Sequence, residues 1–327
     1  MPNFNGVWSL TTQLQYAADW PALPQRAFFP GGANAGGTLT QIDVITITTT
    51  GNATDFGDLS AGQKESGCAS SITRGILFGG SQNLGSQGAG KRNLYLTLSS
   101  GGTQATFGNL VQATTNHPGG CGNATRGLKG GGGTGGYSTI IDNIEYVTIA
   151  TTGDATDFGN LTVARNRTTA ASNSTRGIWA GGGKTSGNTS SDLYNTLDYV
   201  TIASTGNASD FGDLSATYRG QGGAANSTRA LWGAGRDGGG RNAGTEYSTI
   251  ASTGNASDFG NLTVARELLG SAAGKTRAVF AGGYDTGFSN VIDYHEIATT
   301  ASGTDFGDLA VARVEQQGLS NAHGGLQ

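Results

Sequence analysis

The sequence predicts an all-β fold, a six-bladed β-propeller, and three features support this fold class: an internal repeat, a glycine-rich composition and complementary chain ends. A turn of the type Asp-Phe-Gly recurs at spacings of 47 to 53 residues, with Thr in place of Asp in the second copy. A fixed period of this length is typical of repeat architectures. The recurring aromatic residues are Phe56, Phe107, Phe158, Phe211, Phe259 and Phe306.

The composition favours a turn-rich β protein and excludes other classes. The 327 residues include 58 Gly and 5 Pro, 13% are charged, and glycine has no three-residue period, which excludes collagen-like and disordered chains. The formal net charge is -4 and the Lys and Arg residues are scattered, so we expect no nucleic-acid partner. No segment is long and apolar enough to span a bilayer, so we expect no membrane insertion.

Each repeat contains four segments that predict short strands. One begins at a Thr-Arg step and enters a glycine cluster, as in TRGIWAGGG, and a variable loop follows it. An alternating segment such as LDYVTIAS predicts a half-buried strand, and the Asp-Phe-Gly sequence after it predicts a turn. A short strand such as NLTVAR follows that turn. The small residues that come next predict an inner strand beside the propeller axis.

Charged residues keep register with the repeat. An acid precedes the turn aromatic by thirteen residues in five copies, at Asp43, Glu145, Asp198, Glu246 and Asp293. The Thr-Arg steps supply Arg74, Arg126, Arg176, Arg229 and Arg277. The turn aspartates are Asp55, Asp157, Asp210, Asp258 and Asp305. We expect inter-strand or inter-blade hydrogen bonds from the first two sets, and capping of turn amides or pairing with Arg from the third. The second copy lacks two of these groups, at Leu94 and Thr106, which favours structural over catalytic roles.

The two ends of the repeat region complement each other. Residues 26–32 predict a glycine-cluster strand that no inner strand precedes, and residues 318–323 predict an inner strand that nothing follows. We therefore expect the end of the chain to complete the first blade, which removes an exposed sheet edge. Residues 26–327 form the propeller in this prediction.

The repeat resembles the Kelch family of propellers. The glycine doublets of that family correspond to Gly31-Gly32, Gly79-Gly80, Gly181-Gly182 and Gly282-Gly283. The tryptophan that Kelch repeats carry after the third strand is absent, and the phenylalanine of the Asp-Phe-Gly turn takes its place. The resemblance covers roughly residues 26–327 and implies a propeller fold.

Residues 1–25 lie outside the repeat and predict a separate N-terminal arm. The phrase NGVWSLTTQLQYAADW resembles the leader of virion proteins of tailed bacteriophages, especially those of marine and cyanobacterial hosts. This resemblance implies that the arm attaches the chain to a virus particle, while a strap packed on the propeller is the alternative. The predicted anchor residues are Phe4, Val7, Trp8, Leu10, Leu14 and Trp20.

Catalytic and metal-binding residues are not expected. His117, His295 and His323 fall at unrelated repeat positions, which argues against a histidine metal site or a nucleophilic triad. The spacing of the Asp and Glu residues does not indicate a carboxylate pair like that of glycosidases. Cys68 and Cys121 lie in inner segments of neighbouring blades. We expect small, buried, reduced thiols, and a bond between the two near the axis is the alternative. We therefore expect no enzyme, no cofactor and no metal.

The loops after the glycine clusters differ from blade to blade, and recognition residues are commonly carried by such loops. Trp179 and Trp232 lie beside them, but we expect these two side chains in the core. The candidate residues for contact with a polar partner are Lys91, Arg92, Arg236, Arg241 and Tyr284.

The expected function is that of a non-enzymatic virion protein, tail- or capsid-associated and made in the host cytoplasm. Its expected partners are other virion proteins, through the arm, and host surface polysaccharide, and a homo-oligomer within the particle is a further option. The alternatives are a lectin-like propeller outside any virion and a polysaccharide hydrolase.

Overall fold

The computed structural model describes residues 23–82, 90–101, 104–135, 139–184 and 189–327. Within these ranges the chain forms six four-stranded antiparallel sheets. Neighbouring sheets pack around a common axis, so the fold is a six-bladed β-propeller and the fold-class prediction is confirmed. The same ranges hold no helix long and apolar enough to cross a bilayer.

Each blade has an inner strand beside the axis, followed outward by second, third and outer strands. Blade 1 contains Leu319–Ser320, Arg26–Pro30, Gln41–Thr46 and Thr54–Asp58, and blade 2 contains Gly67–Ser70, Arg74–Phe78, Arg92–Thr97 and Ala105–Asn109. Blade 3 contains Gly119–Gly122, Arg126–Gly130, Asn143–Thr148 and Thr156–Asn160, and blade 4 contains Thr169–Ser172, Arg176–Ala180, Tyr194–Thr201 and Ser209–Tyr218. Blade 5 contains Gly222–Ala225, Arg229–Gly233, Gly244–Thr249 and Ser257–Asn261, and blade 6 contains Gly270–Ala273, Arg277–Ala281, Val291–Glu296 and Thr304–Asp308.

Short elements lie in the connections. Two-stranded ribbons pair Ala33–Asn34 with Gly37–Thr38, Gln63–Lys64 with Ser81–Gln82, and Gly133–Thr134 with Thr139–Ile140. Single turns of 3-10 helix span Ser190–Asp192 and Gly324–Leu326.

The end of the chain completes blade 1, as the complementary ends predict. Ser320 pairs with Ala27 and Leu319 with Phe28 in an antiparallel register. This strand is shorter than the predicted 318–323, because the chain turns away at Asn321, whose Oδ1 accepts the backbone N–H of Arg26 at 2.8 Å. The pairing protects the edge of the Arg26–Pro30 strand.

The outer strand was predicted one segment too late. It lies over the Asp-Phe-Gly sequence itself, whereas the following NLTVAR-type residues mostly form the crossing to the next blade. In blade 5, a β-bulge opposite Thr245 and Glu246 aims Phe259 inward. The Phe259 ring packs edge-on against Tyr247, with 5.7 Å between centroids, and is 2% exposed. The turn aromatic is thus a core residue of the outer strand.

The apolar core lies between blades. Six clusters of buried residues each join two neighbouring blades. One of them joins blade 6 to blade 1 and so completes the circle. In the cluster between blades 4 and 5, Phe211 packs with Leu197 from its own blade and with Trp232 from the next. Trp179 and Trp232 are fully buried, which confirms the expectation that they are core residues.

Small residues form the inner strands because these strands approach one another at the axis. A Cβ atom added at Gly120 of blade 3 would lie 2.3 Å from the backbone nitrogen of Cys68 in blade 2. Such a separation is too short for any side chain, so a glycine is required where these two inner strands approach each other.

Three of the five third-strand acids form buried ion pairs with arginines that the sequence analysis did not single out. Asp43 pairs with Arg313 at 2.9 Å, and the same geometry recurs for Asp198 and Asp293. The partners of these two acids are Arg165 and Arg266, each at 2.8 Å. All six side chains are fully buried. Each arginine ends a VAR sequence in the connection between two blades. Its ion pair joins this connection to the third strand of the following blade.

The Thr-Arg arginines bond between blades, as predicted. Arg176 of blade 4 donates to the carbonyl oxygen of Ile250 in blade 5 at 2.8 Å, and its guanidinium lies over Tyr199 at 4.8 Å from the ring centroid. The turn aspartates Asp55 and Asp210 accept the N–H groups of the glycines two residues later. For these two, the aspartate caps a backbone amide as predicted, but the amide belongs to the bulged outer strand and not to a turn.

Blade 3 buries a lysine where blade 4 has a tryptophan. Lys129 occupies the second-strand position of Trp179 and is fully buried. Its Nζ lies 3.0 Å from Oδ1 of Asn143 and 3.7 Å from Oε1 of Glu145. Burial lowers the pKa of Lys129 to about 8, and the charge of Glu145 offsets this effect only in part.

The Asp43–Arg313 pair gives a first prediction. Replacing Asp43 with Leu leaves a buried arginine without its carboxylate, and we expect the free energy of unfolding to fall by about 3–5 kcal/mol. The double variant D43L/R313Q should recover about 1–2 kcal/mol of this loss, because blade 2 carries Gln63 and Leu94 at the same two repeat positions. Urea unfolding of the wild type, both single variants and the double variant measures the coupling, and additive losses would contradict it.

Lys129 gives a second prediction, on pH dependence. Its folded pKa of about 8 lies below the ordinary value of 10.5, so the unfolded chain binds more protons between these pH values. Lys129 therefore makes the free energy of unfolding rise with pH in this window. We expect the difference between wild type and Lys129→Met to increase in favour of the wild type from pH 8 to 10.5. The exposed Lys91→Met is the control, and parallel curves for wild type and K129M would count against the assignment.

Candidate functional site

The two ends of the propeller axis carry different structures. The loop face carries the glycine doublets, the variable loops and the crossings between blades. The hairpin face carries the tight turns that join inner to second strands and third to outer strands. Both ends of the described chain, residues 23–25 and 321–327, lie on the hairpin face, because Arg26 starts its strand there and Ser320 ends its strand there.

A ring of left-handed residues surrounds the axis on the loop face. We name it the axial ring; its members are Glu65, His117, Arg167, Gly220, Leu268 and Glu315, with φ between 38° and 62°. Each precedes the inner strand of a different blade. The N–H of Glu65 donates to the carbonyl oxygen of Glu315, and that of His117 to Glu65, so the ring links successive blades. Residues other than glycine are uncommon in this left-handed conformation, yet five of the six members of the axial ring are not glycine.

Three members of the axial ring meet at one point. Nε2 of His117 lies 3.4 Å from Oε1 of Glu65 and 3.7 Å from Oε1 of Glu315. We call these three residues the axial triad. His117 and Glu65 are buried, and 14% of the Glu315 side chain is exposed. The residues come from blades 3, 2 and 1, so the triad spans the junction where the propeller closes.

The axial triad is strongly coupled electrostatically. Burial alone would raise the pKa of both glutamates, but the polar contact and charge of His117 outweigh it, and the pKa of Glu65 is lowered. With Lys64 at 2.7 Å, the same contacts bring the pKa of Glu315 to about 2. Burial would lower the pKa of His117, yet the two carboxylates raise it. Two carboxylates, the His117 imidazole and the Lys64 ammonium therefore lie within one cluster.

Three of the predicted contact residues meet in the loops of blades 5 and 6. Arg236 and Arg241 each place a guanidinium nitrogen 3.3 Å from Oε1 of Glu267. The Arg241 guanidinium also lies over the ring of Tyr284, at 4.6 Å from the centroid. Tyr284 in turn packs edge-on against Phe288, which is 37% exposed. We call these five residues the Glu267 cluster.

The remaining predicted residues are elsewhere. Lys91 is exposed and Arg92 half-buried at the start of the third strand of blade 2, which is not adjacent to blades 5 and 6. The predicted anchor residues lie outside the described residues. Whether any of these side chains binds a partner stays a prediction.

The inner strands enclose a central channel that the end of the chain covers. A cavity of about 70 Å³ is lined by inner-strand residues of all six blades and by His323. Nε2 of His323 lies 2.8 Å from the carbonyl oxygen of Ser70, and its Nδ1 accepts the N–H of Gly325. Oε1 of Gln327 accepts the N–H of Ser227 in blade 5. Residues 321–327 therefore close the channel on the hairpin face.

Both cysteines lie within this enclosure as free thiols, as expected. Sγ of Cys68 donates to the carbonyl oxygen of Gly318 at 2.9 Å. Burial raises the pKa of Cys68 to about 12 and raises that of Cys121 further. We therefore expect little thiolate of either residue at neutral pH.

The sequence analysis missed the axial triad. It placed the three histidines at unrelated repeat positions, but His117 occupies the same ring position as Glu65 and Glu315. The crossing into blade 3 is one residue longer, so His117 follows its turn aromatic by ten residues and the glutamates follow theirs by nine. An alignment of the repeats that counted backward from the inner strands would have found this match.

The chain matches no protein-family model and no curated protein. The fold class therefore rests on the blades themselves, and the resemblances to Kelch repeats and to a phage leader rest on residues alone.

The enclosure of the thiols gives a third prediction. We expect Cys68 and Cys121 in the folded chain to react with iodoacetamide at pH 8 about a thousandfold more slowly than in denaturant, because burial suppresses the thiolate. Removing residues 321–327 opens the hairpin-face end of the channel and should accelerate the reaction. Mass spectrometry measures the rates, and the variants Cys68→Ala and Cys121→Ala assign them. Equal rates with and without the seven residues would show that they do not close the channel.

Proposed function

We propose that this chain is a non-enzymatic binding protein of a tailed bacteriophage virion. Its N-terminal arm attaches it to the particle, and the loop face contacts host surface glycans or another virion protein. The observation that carries the proposal is that residues 23–25, from which the arm would extend, lie on the face opposite the variable loops.

The root of the arm lies on the hairpin face. The carbonyl oxygen of Gln25 accepts the N–H of Ile47, and its side-chain oxygen accepts the N–H of Lys275 in an inner hairpin of blade 6. The carbonyl oxygen of Pro24 accepts a hydrogen bond from the side chain of Asn321. Leu23, the first described residue, is 69% exposed. Leu23 therefore lies at the face opposite the variable loops, an arrangement suited to attachment on one face and recognition on the other.

The loop face offers chemistry suited to sugars. The Glu267 cluster combines guanidinium groups, which bind carboxylates in a bidentate manner, with the partly exposed rings of Tyr284 and Phe288, on which a sugar ring can stack. The loops carry function in this proposal and the blades supply a rigid support.

The leader resemblance supplies the virion part of the proposal. The motif in residues 5–20 is short, and the Kelch-like glycine doublets bear only on the fold. A lectin-like propeller outside any virion shares the same loop face, so the two functions differ in whether the arm binds a particle.

A fourth prediction tests the arm. A chain lacking residues 1–22 keeps the Pro24 and Gln25 contacts and should fold, but we expect it not to bind purified virions of the phage that encodes it. Full-length protein should co-sediment with those virions. The variant W8A/W20A is a second test that leaves the length of the arm unchanged. Equal binding by all forms would remove the arm from the proposal, and no binding by any form would favour the lectin-like alternative.

A fifth prediction tests the loop face with the full-length protein. We expect R241A/Y284A to bind host cells or their isolated polysaccharide at least about tenfold more weakly, since each buried contact typically contributes about 1–2 kcal/mol. Lys275→Ala, on the hairpin face, is the matched control for loss of a cation. Release of reducing sugar from the polysaccharide by the wild type would instead favour the hydrolase.

A further inference from the structure

We propose that the axial triad of Glu65, His117 and Glu315 is a binding site for one divalent transition-metal ion, with Zn²⁺ as its occupant. The site is independent of the proposed virion function. It lies on the axis at the loop face, where the ion would join blades 1, 2 and 3.

The spacing of the ligand atoms fits such an ion. One atom from each residue lies within 4.8 Å of the other two. Zinc binds imidazole nitrogen and carboxylate oxygen at about 2.0–2.2 Å, so two ligands of a tetrahedral ion are about 3.4 Å apart. The distances from Nε2 of His117 to the two carboxylate oxygens are 3.4 Å and 3.7 Å. The three atoms already surround a position for an ion, and small side-chain shifts complete it.

The environment of His117 points independently to a ligand. This residue is 5% exposed, and its Nε2 has no hydrogen bond within the part of the chain that the structure describes. Both neighbouring carboxylate oxygens make ion-pair contacts with Nε2, but neither has the geometry of a hydrogen bond. A buried polar atom normally has a partner, because its desolvation otherwise costs about 1–3 kcal/mol. A metal ion between the three residues would satisfy Nε2 directly.

Outer contacts orient both carboxylates toward that position. Oε2 of Glu65 accepts from Nδ2 of Asn116 at 3.2 Å, and Oε2 of Glu315 accepts from Nζ of Lys64 at 2.7 Å. Each Oε1 is thereby left facing His117. Hydrogen bonds to the second oxygen of a carboxylate are a common feature of protein metal sites.

Charge favours a divalent ion of this class. The ion would replace the imidazole proton, so two carboxylates and a neutral imidazole would face one dication. Lys64 also lies 3.7 Å from Oε1 of Glu65, and its ammonium can keep the contact with Oε2 of Glu315 while the ion takes the Oε1 atoms. One imidazole with carboxylates suits zinc and its neighbours, whereas Mg²⁺ and Ca²⁺ prefer oxygen ligands alone.

Metal binding would strengthen closure of the propeller. Glu315 lies four residues before the strand Leu319–Ser320, which completes blade 1. His117 follows Glu65 by 52 residues and Glu315 follows His117 by 198, so the unfolded state holds no comparable site. Binding to the folded state alone raises the unfolding temperature.

Cobalt titration and thermal unfolding of the full chain, first dialysed against a chelator, test the proposal. We expect Co²⁺ to produce visible d–d absorption that saturates at one ion per chain and is abolished by Zn²⁺. Zn²⁺ at a hundredfold excess over its Kd should raise the Tm by roughly 3–6 °C, and Mg²⁺ should not. His117→Gln and Glu315→Gln should each bind at least about tenfold more weakly, while the controls His295→Gln and Glu296→Gln should bind like the wild type.

Three results would overturn the proposal. The first is no absorption and no Tm shift in the wild type, and the second is unchanged binding by folded H117Q and E315Q. The third concerns the wild type alone, in case a variant fails to fold. X-ray absorption of the zinc-bound chain should show one imidazole and oxygen ligands, whereas sulfur ligands would assign the ion to Cys68 and Cys121 in the channel.

Discussion

The turn phenylalanine of each blade packs with apolar residues of its own sheet and of the next, and this contact repeats around the axis until blade 6 meets blade 1. Since every sheet buries a face against each neighbour, no blade is a complete core by itself. The short strand Leu319–Ser320 is important for the whole fold, because it closes the circle of contacts and protects the edge of the Arg26–Pro30 strand. Closure of the circle by blades 6 and 1 is therefore the constraint that fixes the positions of the inner strands, of the axial ring and of the loops on both faces.

Buried charge reinforces the circle at selected junctions. Arg165, Arg266 and Arg313 each join a crossing segment to the blade it enters, through an aspartate that is fully buried. Blade 2 fills the same positions with Gln63 and Leu94, and Nε2 of Gln63 reaches the carbonyl oxygen of Gly79. The fold therefore accepts either a charged or a neutral pair of residues at this junction.

Rigid closure gives the two faces different structures. The hairpin face holds residues 23–25 and the covering residues 321–327, while the loop face carries the variable segments, the Glu267 cluster and the axial triad. Because the crossings converge on the axis, side chains that are remote in sequence come together there. The same convergence makes the axial ring a natural place for a ligand that spans several blades.

The sequence by itself determined the number of blades, the closure by complementary ends, the burial of the tryptophans and the structural use of the repeating charges, because each leaves a periodic signal. It did not determine the position of the outer strand, since the β-bulge at Phe259 places a turn-like sequence within a sheet. Nor did it reveal the meeting of Arg241 with Tyr284, or of His117 with Glu65 and Glu315. These contacts join loops and crossings of different blades, and only the tertiary packing around the axis decides which of them meet.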